Sequence, residues 1–379
     1  MQKPARVPAI DMLRGFVIAL MALDHVRDYF GIAPFNPEDL TSTTPAWFWT
    51  RWITHLCATV FVLLAGSSAY LRGAGSGVPA LSRYLATRGL MLLALEVTWI
   101  SFSWQFGYRV VILQVIWALG AGMLALSALV WLPRYAIGLI AALLILPHNA
   151  LDYIESKSLI WMAWHQGGFF QLSGTWGVEG ILFKYPLMPW IGLIAAGYAM
   201  GPVFTWARAR RESFLLAGAG TLLLTFVVLR AFNAYGDPLP WAAQGRGFMF
   251  DLMSFMRVEK YPPSLLYLCV TCGIGLLLLA LFERMRENKI LLVFGRSPLF
   301  FYVIHIAVIH FLGNLYYDLR FGSGPRFENG HAFWPDGYVA SLPVVYAAWA
   351  GILVLMYGLT RLWQNRRRSS ASSGVAIAP

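Results

Sequence analysis

Charged residues are scarce in this chain: they make up 12% of its 379 residues, whereas they make up about a quarter of an average soluble domain. This scarcity excludes an ordinary soluble domain. Hydrophobic residues make up 58% of the sequence, and long apolar runs recur along it with short polar breaks. Since about 20 apolar residues cross the hydrocarbon core as a helix, the composition predicts that lipid is the main solvent.

Cysteine is also rare. Cys57, Cys269 and Cys272 all lie in apolar runs, and Cys269 and Cys272 have no second pair that would complete a zinc site. We interpret all three as small core residues. The first apolar run contains charged residues and no small-residue cleavage site, so we expect it to remain in the mature protein rather than to act as a signal peptide.

Several catalytic signatures are missing. The sequence has no G-x-S-x-G elbow, no phosphate-binding loop and no dinucleotide fingerprint, so a covalent serine mechanism has no support. It also shows no inverted repeat of the kind that marks many transporters. His25, His55, His305 and Asp24 lack the short spacing that supports a zinc or iron site, so we expect no metal.

The apolar runs predict an all-α polytopic transmembrane helix bundle with about ten membrane spans. We assign residues 1–364 to a single membrane domain and residues 365–379 to a disordered cytoplasmic tail. The predicted spans are 10–29, 50–72, 84–103, 110–132, 134–149, 185–205, 213–231, 263–283, 290–316 and 338–362.

The net charge of +11 comes mostly from short Lys/Arg clusters between the apolar runs. Such clusters fix the orientation of a membrane protein. We therefore interpret the positive net charge as a determinant of membrane orientation and expect no nucleic-acid partner. An even number of spans places both termini on one side, and the Lys/Arg excess in the loops of that side predicts that both termini are cytoplasmic.

Ionisable residues inside a membrane are costly, so each is a functional candidate. The first span carries Arg14 and His25, eleven residues apart and therefore on one helical face, with Asp11 and Asp28 close to the same stripe. A histidine can take a proton and return it, and Asp24 or Asp28 can orient its ring. The alternative is that Asp11 and Arg14 form an ion pair and His25 only packs.

Other spans add polar residues. Arg51 and His55 lie one turn apart near the outer end of the second span, and Tyr302 and His305 lie one turn apart in the ninth. The third span contains Arg88 and Glu96, which either pair with each other or serve a ligand. Each group alone is typical of an interhelical hydrogen bond, but several in one chain favour a polar site.

The Arg14 to His25 spacing, within a first span that opens with Ile10-Asp11-Met12-Leu13-Arg14-Gly15, resembles the opening signature of the membrane acyltransferase superfamily. That group includes the acyltransferase 3 family and the relatives of heparan-α-glucosaminide N-acetyltransferase. The later blocks resemble its bacterial heparan-acetyltransferase-like branch, and they lie at 61–68, 83–89, 185–190, 261–265 and 294–305.

The resemblance implies transfer of an acyl group, usually acetyl, from cytoplasmic acetyl-CoA to a hydroxyl or amine of a sugar on the outer side of a bacterial inner membrane. It matches His25 to the family's membrane histidine and Arg14 to its arginine. Two departures are clear. The heparan enzyme has a histidine shortly after its first helix, and this chain has none between Val26 and Thr54; Arg83 and Arg88 are five apart rather than three.

In the mechanism that we expect, the phosphates of the acyl-CoA substrate bind Arg83, Arg88 and Arg14. His25 then removes the proton of the attacking sugar group near the outer side, and Tyr302 or His305 stabilises the oxyanion. The bilayer, acyl-CoA and a glycan acceptor are the expected partners. The main alternative is a proton-coupled transporter that uses the same histidines, carboxylates and arginines, and a second is a structural membrane subunit.

Overall fold

The computed structural model describes residues 7–174, 177–324, 326–328 and 331–372. The chain is 71% helical, which confirms the predicted all-α class. The helices are α1 (Pro8–Phe30), α2 (Pro45–Trp52), α3 (Leu56–Gly73), α4 (Val78–Leu95), α5 (Ser101–Gln105), α6 (Val115–Leu129), α7 (Arg134–Ile145), α8 (Leu159–Trp161), α9 (Leu187–Met200), α10 (Arg208–Ala231), α11 (Phe248–Met256), α12 (Leu265–Arg284), α13 (Lys289–Gly295), α14 (Pro298–Phe321) and α15 (Leu342–Ser372).

Within the described ranges, seven helical segments are long and apolar enough to cross a membrane, which confirms a polytopic membrane protein. Some of them join two elements: a 3₁₀ turn, Ile53–His55, links α2 to α3, and a π-helical turn, Glu96–Ile100, links α4 to α5. The seven segments are Pro45–Gly73, Val78–Gln105, Leu187–Thr205, Arg208–Ala231, Leu265–Arg284, Pro298–Phe321 and Leu342–Ser369.

Three other helices lie where spans were predicted. α1 has 23 residues but carries five charged side chains, while α6 and α7 have only 15 and 12 residues, fewer than the about 20 that cross hydrocarbon without tilt or thinning. The total of about ten spans therefore stays a prediction.

Large apolar side chains cover the outer faces of several long helices. Leu224 on α10, Leu319 on α14 and Val354 on α15 are 65%, 80% and 74% exposed. A soluble monomer rarely displays such side chains in extended patches, because contact with water is unfavourable. Their exposure fits helices whose outer faces contact lipid.

Short strands occupy the loops between helices, and the sequence pattern did not predict them. β1 (Val110–Leu113) pairs in parallel with β3 (Gly180–Phe183), which pairs antiparallel with β2 (Gly168–Gln171), in the order β1-β3-β2. Two further strands, β4 (Arg326–Glu328) and β5 (His331–Phe333), form an antiparallel hairpin. The predicted span 110–132 is thus corrected: it starts with a strand, and its helix begins only at Val115.

The predicted single domain 1–364 divides into two compact units. The first unit contains Met1–Ile10 and His55–Arg286. Its helices approach closely through glycine: a side chain at Gly66 of α3 would overlap the carbonyl of Ile194 on α9, and one at Gly197 of α9 would overlap the carbonyl of Leu63. Small residues let helix backbones meet where lipid offers no hydrophobic driving force.

The second unit contains Asp11–Thr54 and Glu287–Pro379. Here α1 packs closely against α13, again at glycines. A side chain at Gly15 would overlap the carbonyl of Leu291, and one at Gly295 would overlap the carbonyl of Asp11. α15 is tied to α1 by the indole of Trp349, which donates to the carbonyl of Ala19 at 2.8 Å. This packing holds the polar residues of α1 in place.

The last helix runs into the segment 365–379 that was predicted to be a disordered tail. α15 continues to Ser372. The helix extends because residues 364–372 contain no glycine or proline that would end it. Residues 373–379 of the predicted tail lie outside the described residues.

Candidate active site

Polar groups meet at the amino-terminal end of α1 in the second unit. Nη1 of Arg14 donates to Oδ1 of Asp11 at 3.3 Å, and Nε of Arg296 lies 4.0 Å from Oδ2 of the same carboxylate. Asp11 is buried and Arg14 is half-buried. Two guanidinium groups against one carboxylate leave a local excess of positive charge, which suits binding of an anion.

The two histidines His25 of α1 and His305 of α14 lie together in the interior of the second unit. Their ring centroids are 5.2 Å apart and the rings are inclined by 51°. His305 is fully buried and His25 is 9% exposed. Sequence reasoning named both residues and gave no reason for them to be neighbours, since 280 positions separate them.

Backbone contacts fix the tautomer of His305. Its Nδ1 lies 2.7 Å from the carbonyl oxygen of Tyr302 and 3.1 Å from that of Phe301. A carbonyl oxygen only accepts hydrogen bonds, so Nδ1 carries the proton and the neutral ring keeps its lone pair at Nε2. Within the described part of the chain, this Nε2 has no hydrogen-bond partner. The interior therefore contains an imidazole nitrogen that is able to accept a hydrogen bond.

Tyr302 and Phe301 complete the surroundings of this imidazole. The Tyr302 ring lies 5.4 Å from the His305 ring, and so does that of Phe301, which is fully buried. The predicted one-turn spacing of Tyr302 and His305 therefore does bring their rings together on α14. An aromatic wall on two sides keeps water away from the imidazole and strengthens any hydrogen bond that it makes.

Asp24 lies in a cluster of arginines near the other end of α1. Nη1 of Arg51 donates to both of its oxygens, at 3.0 and 3.1 Å, and Nη1 of Arg27 lies 3.0 Å from Oδ1. Thr54 Oγ1 is 2.9 Å from Oδ1, and Glu38 pairs with Nε of Arg51 at 3.3 Å. Asp24 and Arg51 are thus brought together as partners of one ion-pair network.

Asp28 is the more exposed carboxylate of α1. It accepts a hydrogen bond from Nη2 of Arg27 at 2.6 Å, and 40% of its side chain is exposed. Its neighbour Tyr29 stacks on His310 of α14, with ring centroids 4.6 Å apart. Both predicted orienting carboxylates, Asp24 and Asp28, bind arginine, and their role toward His25 stays a prediction.

Four of the predicted residues belong to the first unit. Arg83 is exposed and Arg88 half-buried on α4, where Arg88 Nη1 lies 3.4 Å from the sulfur of Met91. Glu96 is fully buried and accepts a hydrogen bond from the backbone N–H of Gln114 at the start of α6. Arg88 and Glu96 do not pair with each other, and their service to a ligand stays a prediction.

His55 is also fully buried in the first unit. Tyr267 of α12 donates to its carbonyl at 2.9 Å, and the two rings meet edge to face at 5.5 Å.

The other oxygen of Glu96, Oε2, has no hydrogen-bond partner among the described residues. Glu96 begins the π-helical turn, and such turns are frequent at functional sites.

Sequence reasoning missed two residues of these clusters. Arg296 stands in the same Phe294–His305 stretch that was quoted as a family block, and its position directly before Ser297-Pro298 marked only a helix start. Arg27 follows His25 by two residues and lies one turn beyond Asp24, so the helical spacing i, i+3 was a signal for the pair.

The fold and these clusters define a polytopic membrane protein with buried imidazoles and arginine-bound carboxylates in its interior. A family model described as heparan-alpha-glucosaminide N-acetyltransferase, catalytic, matches residues 6–229, more than half of the chain. The chain therefore belongs to this family. The match includes Arg14 and His25 and ends before α14, which carries His305. No curated protein matches the chain.

Proposed function

We propose that this protein transfers an acetyl group across the membrane, from cytoplasmic acetyl-CoA to a hydroxyl or amine of a sugar or glycan on the outer side. Membership of an acetyltransferase family supports the reaction type, and that family's name supports a glucosamine-type acceptor. The observation that carries the proposal is the buried pair His25–His305, with the unprotonated Nε2 of His305 available inside a membrane protein.

In the proposed reaction, the acceptor oxygen or nitrogen attacks the carbonyl carbon of the thioester. A C–O or C–N bond forms, the C–S bond breaks, and the acceptor proton passes to His25 and then to the departing thiolate of CoA. No covalent intermediate on the protein is needed. His305 acts as the positioning residue, because its Nε2 can accept a hydrogen bond from the His25 ring. Tyr302 is the proposed donor to the developing oxyanion.

Arginines are the proposed binding groups for the phosphates of the CoA substrate. Arg14 stands with Arg296 beside Asp11 in the second unit. In the first unit, Arg83 is exposed and Arg88 is half-buried on α4, and their assignment rests on the family resemblance alone. Guanidinium groups match phosphate geometry with paired hydrogen bonds. We assign the ion-pair network around the outer end of α1 to Arg51, Asp24 and Asp28. We assign a supporting role in the packing of the first unit to His55 and Glu96.

We also propose that the protein lies in a bacterial inner membrane with both termini in the cytoplasm. The Lys/Arg excess in the short loops supports cytoplasmic termini, and the resemblance of the later blocks supports a bacterial inner membrane and a relationship to the acyltransferase 3 family. The transporter alternative gains no support from the family match.

Release of CoA thiol by the purified protein tests the proposal. With acetyl-CoA and glucosamine, the wild-type protein should release CoA only when the acceptor is present. His25→Ala should lower the rate by about 10²- to 10⁴-fold, the range that a general base contributes. His310→Ala is the matched control, because it removes another buried histidine of the same unit, and it should keep the rate within a few-fold.

Two results would refute this assignment. One is a wild-type protein, shown to be folded by its melting curve, that releases no CoA with any amino sugar or hydroxyl acceptor. The other is an acceptor-dependent rate that is equal in wild type and His25→Ala. A change in solute flux alone in His25→Ala would favour the transporter.

A further inference from the structure

A second cluster of titratable side chains lies in the first unit, apart from the residues discussed above. His148 stands on the 3₁₀ turn His148–Leu151 just after α7, with Asp152 one turn later, and His165 stands on the π-helical turn Met162–Gln166 that precedes β2. One ligand atom from each of the three side chains lies within 4.8 Å of those of the other two.

His148 is the member of the cluster that lacks an explanation as a packing residue. It is fully buried, and neither of its ring nitrogens has a hydrogen-bond partner among the residues that the structure describes. Each nitrogen of an imidazole is either a hydrogen-bond donor or a hydrogen-bond acceptor. Burying both nitrogens without partners is therefore costly. Its ring meets that of His165 edge to face at 5.8 Å, and one of its ring nitrogens lies within 4.8 Å of the ligand atoms of Asp152 and His165.

The other two side chains are already positioned by hydrogen bonds. Nε2 of His165 lies 3.1 Å from Oδ1 of Asp152, and Asn149 donates to Oδ2 of Asp152 at 2.8 Å. His165 is 1% exposed, and its ring packs against Trp161 at 5.3 Å. Asp152 keeps 16% of its side chain exposed, which leaves one side of the cluster open to water.

We propose that His148, Asp152 and His165 bind one divalent transition-metal ion, for which zinc is the best-suited probe. Two imidazoles and one carboxylate are a ligand set that zinc takes in sites with a fourth, water-filled position. Tetrahedral bonds of about 2.0–2.1 Å place ligand atoms about 3.3 Å apart. Nε2 of His165 and Oδ1 of Asp152 already lie close to this spacing, and all three ligand atoms lie within 4.8 Å of one another.

The metal would connect two segments of the first unit: the end of α7 and the turn that leads into β2. Asn149, between two ligands, accepts a hydrogen bond from the backbone N–H of Leu265 at 2.9 Å, and Leu265 is the first residue of α12. The inferred metal site does not depend on the proposed acetyl transfer.

Zinc titration of the full-length protein tests this site. The protein is purified in detergent with an affinity tag that contains no histidine, stripped with a chelator and titrated with zinc in a calorimeter. We expect about one equivalent of zinc to bind and to raise the melting temperature. Asp152→Asn keeps the shape of the side chain and its contact to Asn149 but provides a weaker metal ligand. His148→Ala removes one of the three ligands. Each substitution should lower the affinity for zinc by at least about 10- to 100-fold.

The control is His310→Ala, which removes a histidine of the second unit and should bind zinc as the wild type does. Asp152→Asn keeps the test decisive if His148→Ala does not fold. The proposal is overturned if the stripped, folded protein binds no zinc, or if zinc binds with the same affinity to Asp152→Asn and His165→Ala as to the wild type.

Discussion

At the scale of single residues, the pairing of His25 with His305 is the feature with the clearest chemical meaning. Each residue was identified from the cost of placing an ionisable group in a membrane. Their proximity was not predictable, because no spacing rule relates positions on α1 and α14. The tautomer of His305 also depends on the carbonyls of Phe301 and Tyr302, which sequence does not reveal.

The orienting role expected for Asp24 stays a prediction. A residue next to a histidine in sequence points about 100° away around a helix, and the ion pairs of Asp24 with Arg27 and Arg51 were not predicted from the sequence. The sequence-based expectation of no metal did not weigh His148, Asp152 and His165. The i, i+4 spacing of the first two was a signal, but the third residue lies thirteen residues further along the chain, across a loop.

The assignment of His305 as a positioning residue predicts different outcomes for two substitutions. His305→Ala should lower kcat of acetyl transfer by about 10²-fold while changing KM little, since the interaction acts on the base and not on substrate binding. His305→Gln can still offer an acceptor oxygen and should recover part of the loss. Steady-state kinetics of purified protein measure both, and equal loss in the two variants would contradict the role.

The pH profile provides the control for this substitution. If His305 acts through His25, the acidic limb of the kcat/KM profile should shift in His305→Gln relative to wild type. A purely structural role would lower the amount of active protein and leave the shape of the profile unchanged.

At the scale of elements, hydropathy found the long helices because length and apolarity alone decide whether a segment can cross lipid. It missed β1, since Val110–Leu113 is as apolar as the helix that follows and only Gln114 separates the two. It also joined α13 to α14, although the break at Ser297-Pro298 is visible in the sequence because proline starts a helix better than it continues one.

Close glycine contacts between α3 and α9 predict a sharp difference between two glycine-to-alanine changes. Gly66→Ala inserts a methyl group against the Ile194 backbone and should destabilise the protein by about 1–3 kcal/mol or more. Gly220→Ala, on α10, meets no atom within 4 Å and should stabilise it by about 0.5–1 kcal/mol.

Thermal melting in detergent compares these two variants with wild type. A lower melting temperature for Gly66→Ala and an equal or higher one for Gly220→Ala are expected. If both variants melted like wild type, the close approach of α3 and α9 would be wrong.

At the scale of the whole molecule, the seven long apolar segments confirm an integral membrane protein, and its orientation remains a proposal from the distribution of Lys and Arg. The chain forms two compact units, and the single domain expected from the sequence stays a prediction. Domain division depends on contacts between distant segments, such as residues 11–54 with 287–379, and no composition shift marks it.

Thiol labelling of intact bacterial cells tests the orientation. The native cysteines Cys57, Cys269 and Cys272 are buried and should give little background. Tyr153 is 92% exposed after α7, and Tyr153→Cys should react with an impermeant maleimide added outside. Arg368→Cys, near the end of α15, should react only after the cells are permeabilised. The reverse pattern would place both termini on the outer side.

We propose that His25 supports acetyl transfer from one side of the membrane to the other. Inside-out membrane vesicles that enclose glucosamine, with labelled acetyl-CoA added to the outside, test this directly. We expect labelled N-acetylglucosamine inside vesicles that contain the wild-type protein and at least about 10²-fold less with His25→Ala. Equal labelling with wild type and His25→Ala, or no labelled product from folded wild-type protein, would contradict it.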